Sequence, residues 1–268
     1  MGKIRKNRRR SEIRKRNVGA ASKIARRTRQ RRKIFTVNAY TCPKLEELDT
    51  DNSDSYCVNW DKRAIAISDG ATRSYDPRTW AEALTENFAQ NHFQLSSASI
   101  EKIAASQKLA APETLSWNEE ELMINGSHAT LLIVNSIQKR KKIVSFTAHS
   151  IGDSILVICD KNGYISNAYP HVATESFPIR PALISNKEPY FLGNLEKKVS
   201  LQIRVGETML LMTDALARFV ARNKTTQIDL LFPFLKKQDQ NLFFEWAQEK
   251  RKSSEIEDDD LTLVEVKF

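Results

Sequence analysis

Short apolar segments of strand length, grouped together and not alternating one-for-one with helices, are the strongest constraint on how this chain can fold. Strand-like patterns fall at 34–39, 56–60 and 63–68, then at 129–134, 143–148, 154–159 and 164–166, and later at 208–212. The chain closes on 261–266 (LTLVEV), where apolar and polar residues alternate with a period of two. Helical patterns come in blocks between these runs. Pro77 opens PRTWAEALTENFAQ, in which Trp80, Leu84 and Phe88 recur at i, i+4 and i+8, and proline suits a first helical turn. Weaker helical patterns cover 98–110 and 116–123, a helix begins at 216–221, and two more cover 227–237 and 240–252. Residues 43–54 read as an acidic loop and 168–195 as a proline-containing one. Adjacent strand runs of this kind favour antiparallel sheets faced by helices over βαβ units.

Charge divides the chain in two. The sequence carries 42 Lys and Arg against 33 Asp and Glu, a formal +9. Residues 1–33 hold 16 of the bases and a single acid, Glu12, which leaves 26 bases against 32 acids in 34–268. A disordered basic arm over 1–33 and a folded body over 34–268 are expected, the body long enough for one sizeable core. No apolar run approaches 18 residues, so no transmembrane helix is expected, and the charged start has no apolar stretch of a secretory signal. Cys42, Cys57 and Cys159 are odd in number and form no C-x-x-C, which suits reduced thiols and a cytoplasmic location. His92, His128, His149 and His171 show no ligand spacing and read as surface or internally satisfied side chains.

Aspartates recur where the apolar segments end. Asp69-Gly70 follows AIAIS, Gly152-Asp153 separates two strands, Asp214 stands between a strand and a helix, and Asp258, Asp259 and Asp260 precede the last strand. Asp54 sits at a strand entrance. Each has an ordinary reading: a turn at 69–70, a hairpin at 152–153, a helix N-cap at 213–214, a solvated acidic run at 258–260. An EF-hand at 49–60 fails for want of its central glycine and closing glutamate. The glycine-rich phosphate loops G-x-x-x-x-G-K-[ST] and G-x-G-x-x-G are absent. Read together, aspartates at rigid strand ends can converge, and converging carboxylates need cations between them. Mg²⁺ and Mn²⁺ favour such oxygen ligands, and a pair of them is a common device for activating water against a phosphoryl group.

Six segments, in order, resemble the bacterial metal-dependent, type-2C-like serine/threonine protein phosphatase family. Asn52-Ser53-Asp54 stands where that family has N-E-D. Ser68-Asp69-Gly70-Ala71-Thr72, with Trp80-Ala81 after it, matches the metal-bridging D-G and the following helix. Gly126-Ser127-His128-Ala129-Thr130-Leu131-Leu132 resembles G-x-x-A-T-L-L, and Ile151-Gly152-Asp153-Ser154 contains G-D-S. Thr213-Asp214-Ala215-Leu216-Ala217 matches T-D-A-L-A, and Asp259-Asp260-Leu261-Thr262-Leu263 matches the closing D-D/N-x-T-L.

The resemblance implies an α+β fold, a four-layer α/β/β/α sandwich of two antiparallel sheets flanked by helices, with two Mg²⁺ or Mn²⁺ ions per chain at one edge. By position, Asp69 bridges both ions with help from the Gly70 carbonyl, Asp214 and Asp259 hold the first, Asp54 orients the attacking water, and Asp153 serves a third, weaker ion or its waters. Metal-activated water then hydrolyses phosphoserine or phosphothreonine in a phosphoprotein substrate, with no covalent enzyme intermediate. Two positions depart from the family. Its metal-binding Glu is Ser53 here, and the Arg that often binds substrate phosphate is Asp49; Arg73 and Arg78 are nearby stand-ins. The alternative reading is a catalytically impaired phosphatase fold used as a binding or regulatory module.

The arm has its own alternatives. Its bases suit sequence-independent contact with a polyanion, and no aromatic residue before Phe35 is available to stack on bases. A solvated tail and a targeting segment remain open beside that reading.

Overall fold

Strand parity builds this molecule: on each central strand, one set of alternate residues packs under helices and the other set packs against a second sheet. The computed structural model describes residues 34–91, 94–107, 117–170, 177–178, 180–187, 192 and 195–268. The proposed arm over 1–33 lies outside them, as do His92, His171 and the far end of the helix expected over 98–110.

Twelve strands are described: β1 (Thr36–Cys42), β2 (Asp54–Asn59), β3 (Ala64–Asp69), β4 (His128–Ala129), β5 (Leu131–Arg140), β6 (Ile143–Ile151), β7 (Ile155–Cys159), β8 (Ile165–Tyr169), β9 (Ile184–Ser185), β10 (Lys197–Arg204), β11 (Thr208–Met212) and β12 (Leu261–Lys267). The helices are α1 (Pro77–Gln90), α2 (Ser97–Ser106), α3 (Trp117–Asn125), α4 (Asp214–Arg222), α5 (Ile228–Leu231), α6 (Phe234–Lys237) and α7 (Gln240–Lys252). Sheet I runs β1-β12-β11-β7-β8 and sheet II runs β10-β6-β5-β3-β2, every pairing antiparallel. The expected four layers are present.

Leu210, Met212, Leu261 and Leu263 of sheet I pack with α4–α7, around an aromatic cluster that includes Phe219, Phe232, Phe234, Phe243 and Trp246. Ala66, Leu131, Ile133 and Ile151 of sheet II pack with Trp80, Leu84 and Phe88 of α1 and Ile100 and Ile103 of α2. The residues between them in sequence are also buried: Ile65, Ile67, Leu132, Val134, Leu156, Ile158, Leu211 and Val264. By the two-residue period they lie on the opposite faces, where the sheets meet. Phe232 alone shows the scale of such packing, since burying a side chain of that size is worth roughly 1.5–3 kcal/mol.

The helix ends follow ordinary capping chemistry. The Asp76 carboxylate accepts the Thr79 N–H ahead of Pro77, and Ser96 and Asp239 cap α2 and α7. Trp80 Nε1 donates to the Ile184 carbonyl at 2.8 Å, so the first buried residue of α1 anchors β9. Helix α3, the patch expected over 116–123, has no buried residue and ends at Gly126, whose φ of +81° suits glycine. The helix expected over 227–237 is broken into α5 and α6 at Pro233, which cannot continue the hydrogen-bond ladder.

Two expectations are corrected. Strand β10 was not anticipated, and it forms an edge of sheet II with Lys197, Lys198 and Arg204 exposed, a usual way of protecting a sheet edge. Gly152-Asp153 is no hairpin, because β6 belongs to sheet II and β7 to sheet I; the segment hands the chain from one sheet to the other. Among the described residues Cys42, Cys57 and Cys159 are free thiols, and no helix is long and apolar enough to cross a membrane.

Candidate metal centre

Asp54 opens β2 and Asp69 closes β3, and the antiparallel register sets them directly opposite each other. Asp69 shares strand parity with Ile65 and Ile67, so the face that is apolar between the sheets ends in carboxylates. Gly70 follows because nothing larger fits. A Cβ there would stand 2.7 Å from the Ser53 carbonyl oxygen and 2.8 Å from that of Pro77. The Gly70 N–H donates to the same Ser53 carbonyl at 3.2 Å.

The other carboxylates arrive from sheet I and from the crossover. Gly152 has φ +105° and leaves Thr130 no room for a Cβ (2.6 Å), and this tight passage buries Asp153. Asp214 begins α4 immediately after β11. Oxygens of Asp69, Asp153 and Asp214 lie within 4.8 Å of one another, a span that one bound ion can bridge. Asp259 lies outside that trio, partly exposed, with Lys44 Nζ 3.3 Å from its Oδ1. Asp260 is buried, and its Oδ2 accepts the Ser53 N–H at 2.9 Å. Asp258, the most exposed of the acidic run, accepts the Leu45 N–H.

Hydroxyls hold the cluster in place. Thr213 Oγ1 donates to Asp54 Oδ2 at 2.9 Å and accepts the Thr262 N–H at 3.0 Å. Thr213 occupies the N-cap position of α4 as expected, but its hydroxyl makes no capping bond and ties sheet I to Asp54 instead. Thr130 Oγ1 accepts the Asp69 N–H at 3.0 Å and pairs with Ser154 Oγ at 3.1 Å.

Burial is the main electrostatic cause here. It pushes the Asp54 and Asp69 carboxyls well above the usual carboxylate range, with Asp260 adding at Asp54 and Asp54, Asp214, Asp259 and Asp153 adding at Asp69. Asp214 is pushed up to about 7 by burial and then by Asp153, with Arg218 pulling the other way. Asp153 and Asp260 are raised by burial too. A buried cluster that resists ionising is short of positive charge.

Two basic side chains not anticipated from sequence partly answer that need. Arg218 Nη2 lies 3.1 Å from Asp214 Oδ2 and 3.3 Å from Asp153 Oδ2, and its Nη1 lies 2.9 Å from Glu257 Oε2. Lys44 reaches Asp259 and donates to Thr72 Oγ1 at 2.9 Å. A signal for Arg218 existed, since it follows Asp214 by one helical turn. Of the two stand-ins for the family arginine, Arg78 pairs with Glu82 and donates to the Thr50 carbonyl, while Arg73 is exposed.

Charge remains unanswered all the same. Buried Oδ1 atoms of Asp54, Asp214 and Asp260 have no hydrogen-bond partner. Unpaired carboxylate oxygens beside a convergent trio are what a hard divalent cation requires, so the donor set fits Mg²⁺ or Mn²⁺.

No family model matches the chain, and no curated protein matches it. Solved structures do. The photosystem II phosphatase PBCP aligns with TM-score 0.56 at 13% identity, over 87% of this chain and 98% of that one. The Mycobacterium tuberculosis serine/threonine phosphatase PstP/Ppp aligns with TM-score 0.56 at 16% identity, over 87% and 98%. The PstP catalytic domain in complex with two manganese ions aligns with TM-score 0.52 at 16% identity, over 87% and 97%. This chain therefore has the fold of the type-2C-like serine/threonine phosphatases.

Proposed function

We propose that the protein is a Mg²⁺- or Mn²⁺-dependent phosphatase acting on phosphoserine or phosphothreonine in proteins. The observation that carries this reading is the approach of Asp69, Asp153 and Asp214 to within 4.8 Å at the meeting edge of the two sheets. The manganese pair in the PstP complex supports the choice and number of ions. Bound there, the metal pair supplies an activated water and neutralises phosphoryl charge.

The chain's own residues do the rest. Asp69, aided by the Gly70 carbonyl, would be the shared ligand, and Asp214 and Asp259 would complete the first ion's set. Asp54, fixed at Oδ2 by Thr213, keeps Oδ1 unpaired and would orient the attacking water. Asp153 supports the outer side of the cluster through Arg218. The test is phosphate release from p-nitrophenyl phosphate and phosphopeptides with Mn²⁺. It should vanish with chelator and in Asp69→Ala and Asp214→Ala, and inactivity on both substrates with metal present overturns the reading.

One observation favours a second reading, a phosphatase fold kept as a binding or regulatory module. Ser53 stands at the family's Glu position, and the contacts there are main-chain ones, its N–H to Asp260 and its carbonyl to Gly70. Under this reading Ser53→Glu raises activity strongly, and the natural chain binds one metal ion or none. For the arm over 1–33 we propose, in either case, sequence-independent contact with a polyanion.

A further inference from the structure

We propose that Arg218 is a built-in cation of the carboxylate cluster: it occupies the place between Asp153 and Asp214 and so limits how many divalent ions the chain takes. The inference rests on the metal-binding reading above. A single nitrogen, Nη2, lies 3.1 Å from Asp214 Oδ2 and 3.3 Å from Asp153 Oδ2, spanning the two carboxylates as a bridging ion does. The side chain is not there by chance of rotamer alone. Residues 214 and 218 are one turn apart on α4, and Glu257, from the loop before β12, holds the other guanidinium nitrogen at 2.9 Å.

The surroundings make this pairing costly to replace. The Asp153 side chain is 2% exposed and that of Asp214 12%, so a missing cation there leaves a buried charge unpaired. A guanidinium keeps its charge throughout the pH range of the protein and presents its donors in a rigid fork. It leaves Asp214 Oδ1 without a partner. An ion seated between Asp69 and Asp214 can therefore coexist with Arg218. An ion seated against Asp153 must first displace the guanidinium, which already spans that gap.

The test counts metal and does not depend on turnover. Mn²⁺ is titrated into the wild-type chain, Arg218→Ala and Arg218→Lys, with bound ion read by calorimetry and by loss of the free-ion electron paramagnetic resonance signal. Arg218→Ala should bind one more Mn²⁺ per chain than wild type, or tighten its weakest site about tenfold, while Arg218→Lys, which keeps a cation, should match the wild-type count. A titration of Arg218→Ala that superimposes on a metal-binding wild type overturns the role of Arg218 and leaves the metal reading standing. If neither chain binds Mn²⁺, both fall. Should Arg218→Ala fail to fold, Glu257→Gln releases the outer anchor and is read the same way: a tighter weakest site supports the proposal, and an unchanged one overturns it.

Discussion

Asp54 and Asp69 face each other across the last pair of the β2–β3 ladder, two carboxyl groups set side by side where the sheets meet. Directly opposed like charges destabilise a ladder by up to about 1 kcal/mol. At a pH high enough to ionise both carboxyls, Asp69→Asn should therefore raise the melting temperature of the metal-free protein by about 2–4 °C. The same change should remove the stabilisation conferred by Mn²⁺ and the phosphatase activity. Differential scanning calorimetry with and without Mn²⁺ reads the first two effects, and a lower metal-free melting temperature would contradict them.

Stability of the metal-free chain should fall as pH rises from about 4 through 7. Asp214 is pushed up to about 7 from an ordinary 3.8, so the folded state holds a proton that the unfolded chain has released. That contribution is complete below the unfolded value and lost as pH climbs through the folded one. Asp54 and Asp69, raised by burial, act in the same direction. Under the proposed metal binding Mn²⁺ would compete with those protons, so any melting temperature gained from Mn²⁺ should be larger at pH 8 than at pH 5.5. Equal gains at both values would count against metal binding by these carboxylates.

Thr213→Val keeps the shape of the side chain and deletes its hydroxyl. Asp54 Oδ2 then loses the Thr213 donor, and the Thr262 N–H loses its acceptor. The expected cost is about 1–3 kcal/mol in denaturant unfolding. Thr213→Ser, which restores both hydrogen bonds, should recover most of it.

Gly70→Ala should cost about 1–3 kcal/mol through overpacking alone. Its Cβ meets two main-chain carbonyls, of Ser53 and Pro77, which cannot rotate away as a side chain could. Chemical denaturation measures the loss, and a neutral result would mean that β2 and α1 shift apart freely.

Residues 1–33 carry 16 basic side chains and one acid. The whole chain should bind duplex nucleic acid without sequence preference, with affinity falling by a factor of about 10³ or more between 50 and 200 mM salt. A chain trimmed to 34–268 should show no such binding in the same fluorescence anisotropy titration. Retention of full affinity by the trimmed chain would move the contact to the body.

Much of the architecture was legible because each central strand is apolar on both faces or alternates cleanly. β11 and the helix α7 fall where periodicity places them, and β12 does so to within one residue. β10 was hidden because its lysines and exposed alternate positions carry no core signal; only its pairing with β6 makes it a strand. The aspartates of the centre were legible as strand-end residues. Which of the acidic run turns inward was not, since it depends on one hydrogen bond from the Ser53 main chain to Asp260. Arg218 and Lys44 were missed for a similar reason: a charged residue on a helix or in a loop looks solvated until the fold brings a buried carboxylate to it.

The passage at Gly152-Asp153 has one more consequence. Asp54 and Asp69 belong to sheet II, Asp214 begins just past the end of a sheet I strand, and Asp153 sits on the hinge of chain that leads from one sheet to the other. Neither half of the sandwich holds all four carboxylates. A molecule caught with one sheet formed and the other not yet docked would not have brought these four carboxylates together. The cluster thus doubles as a gauge of correct closure, since any misalignment of the two sheets pulls its carboxylates apart.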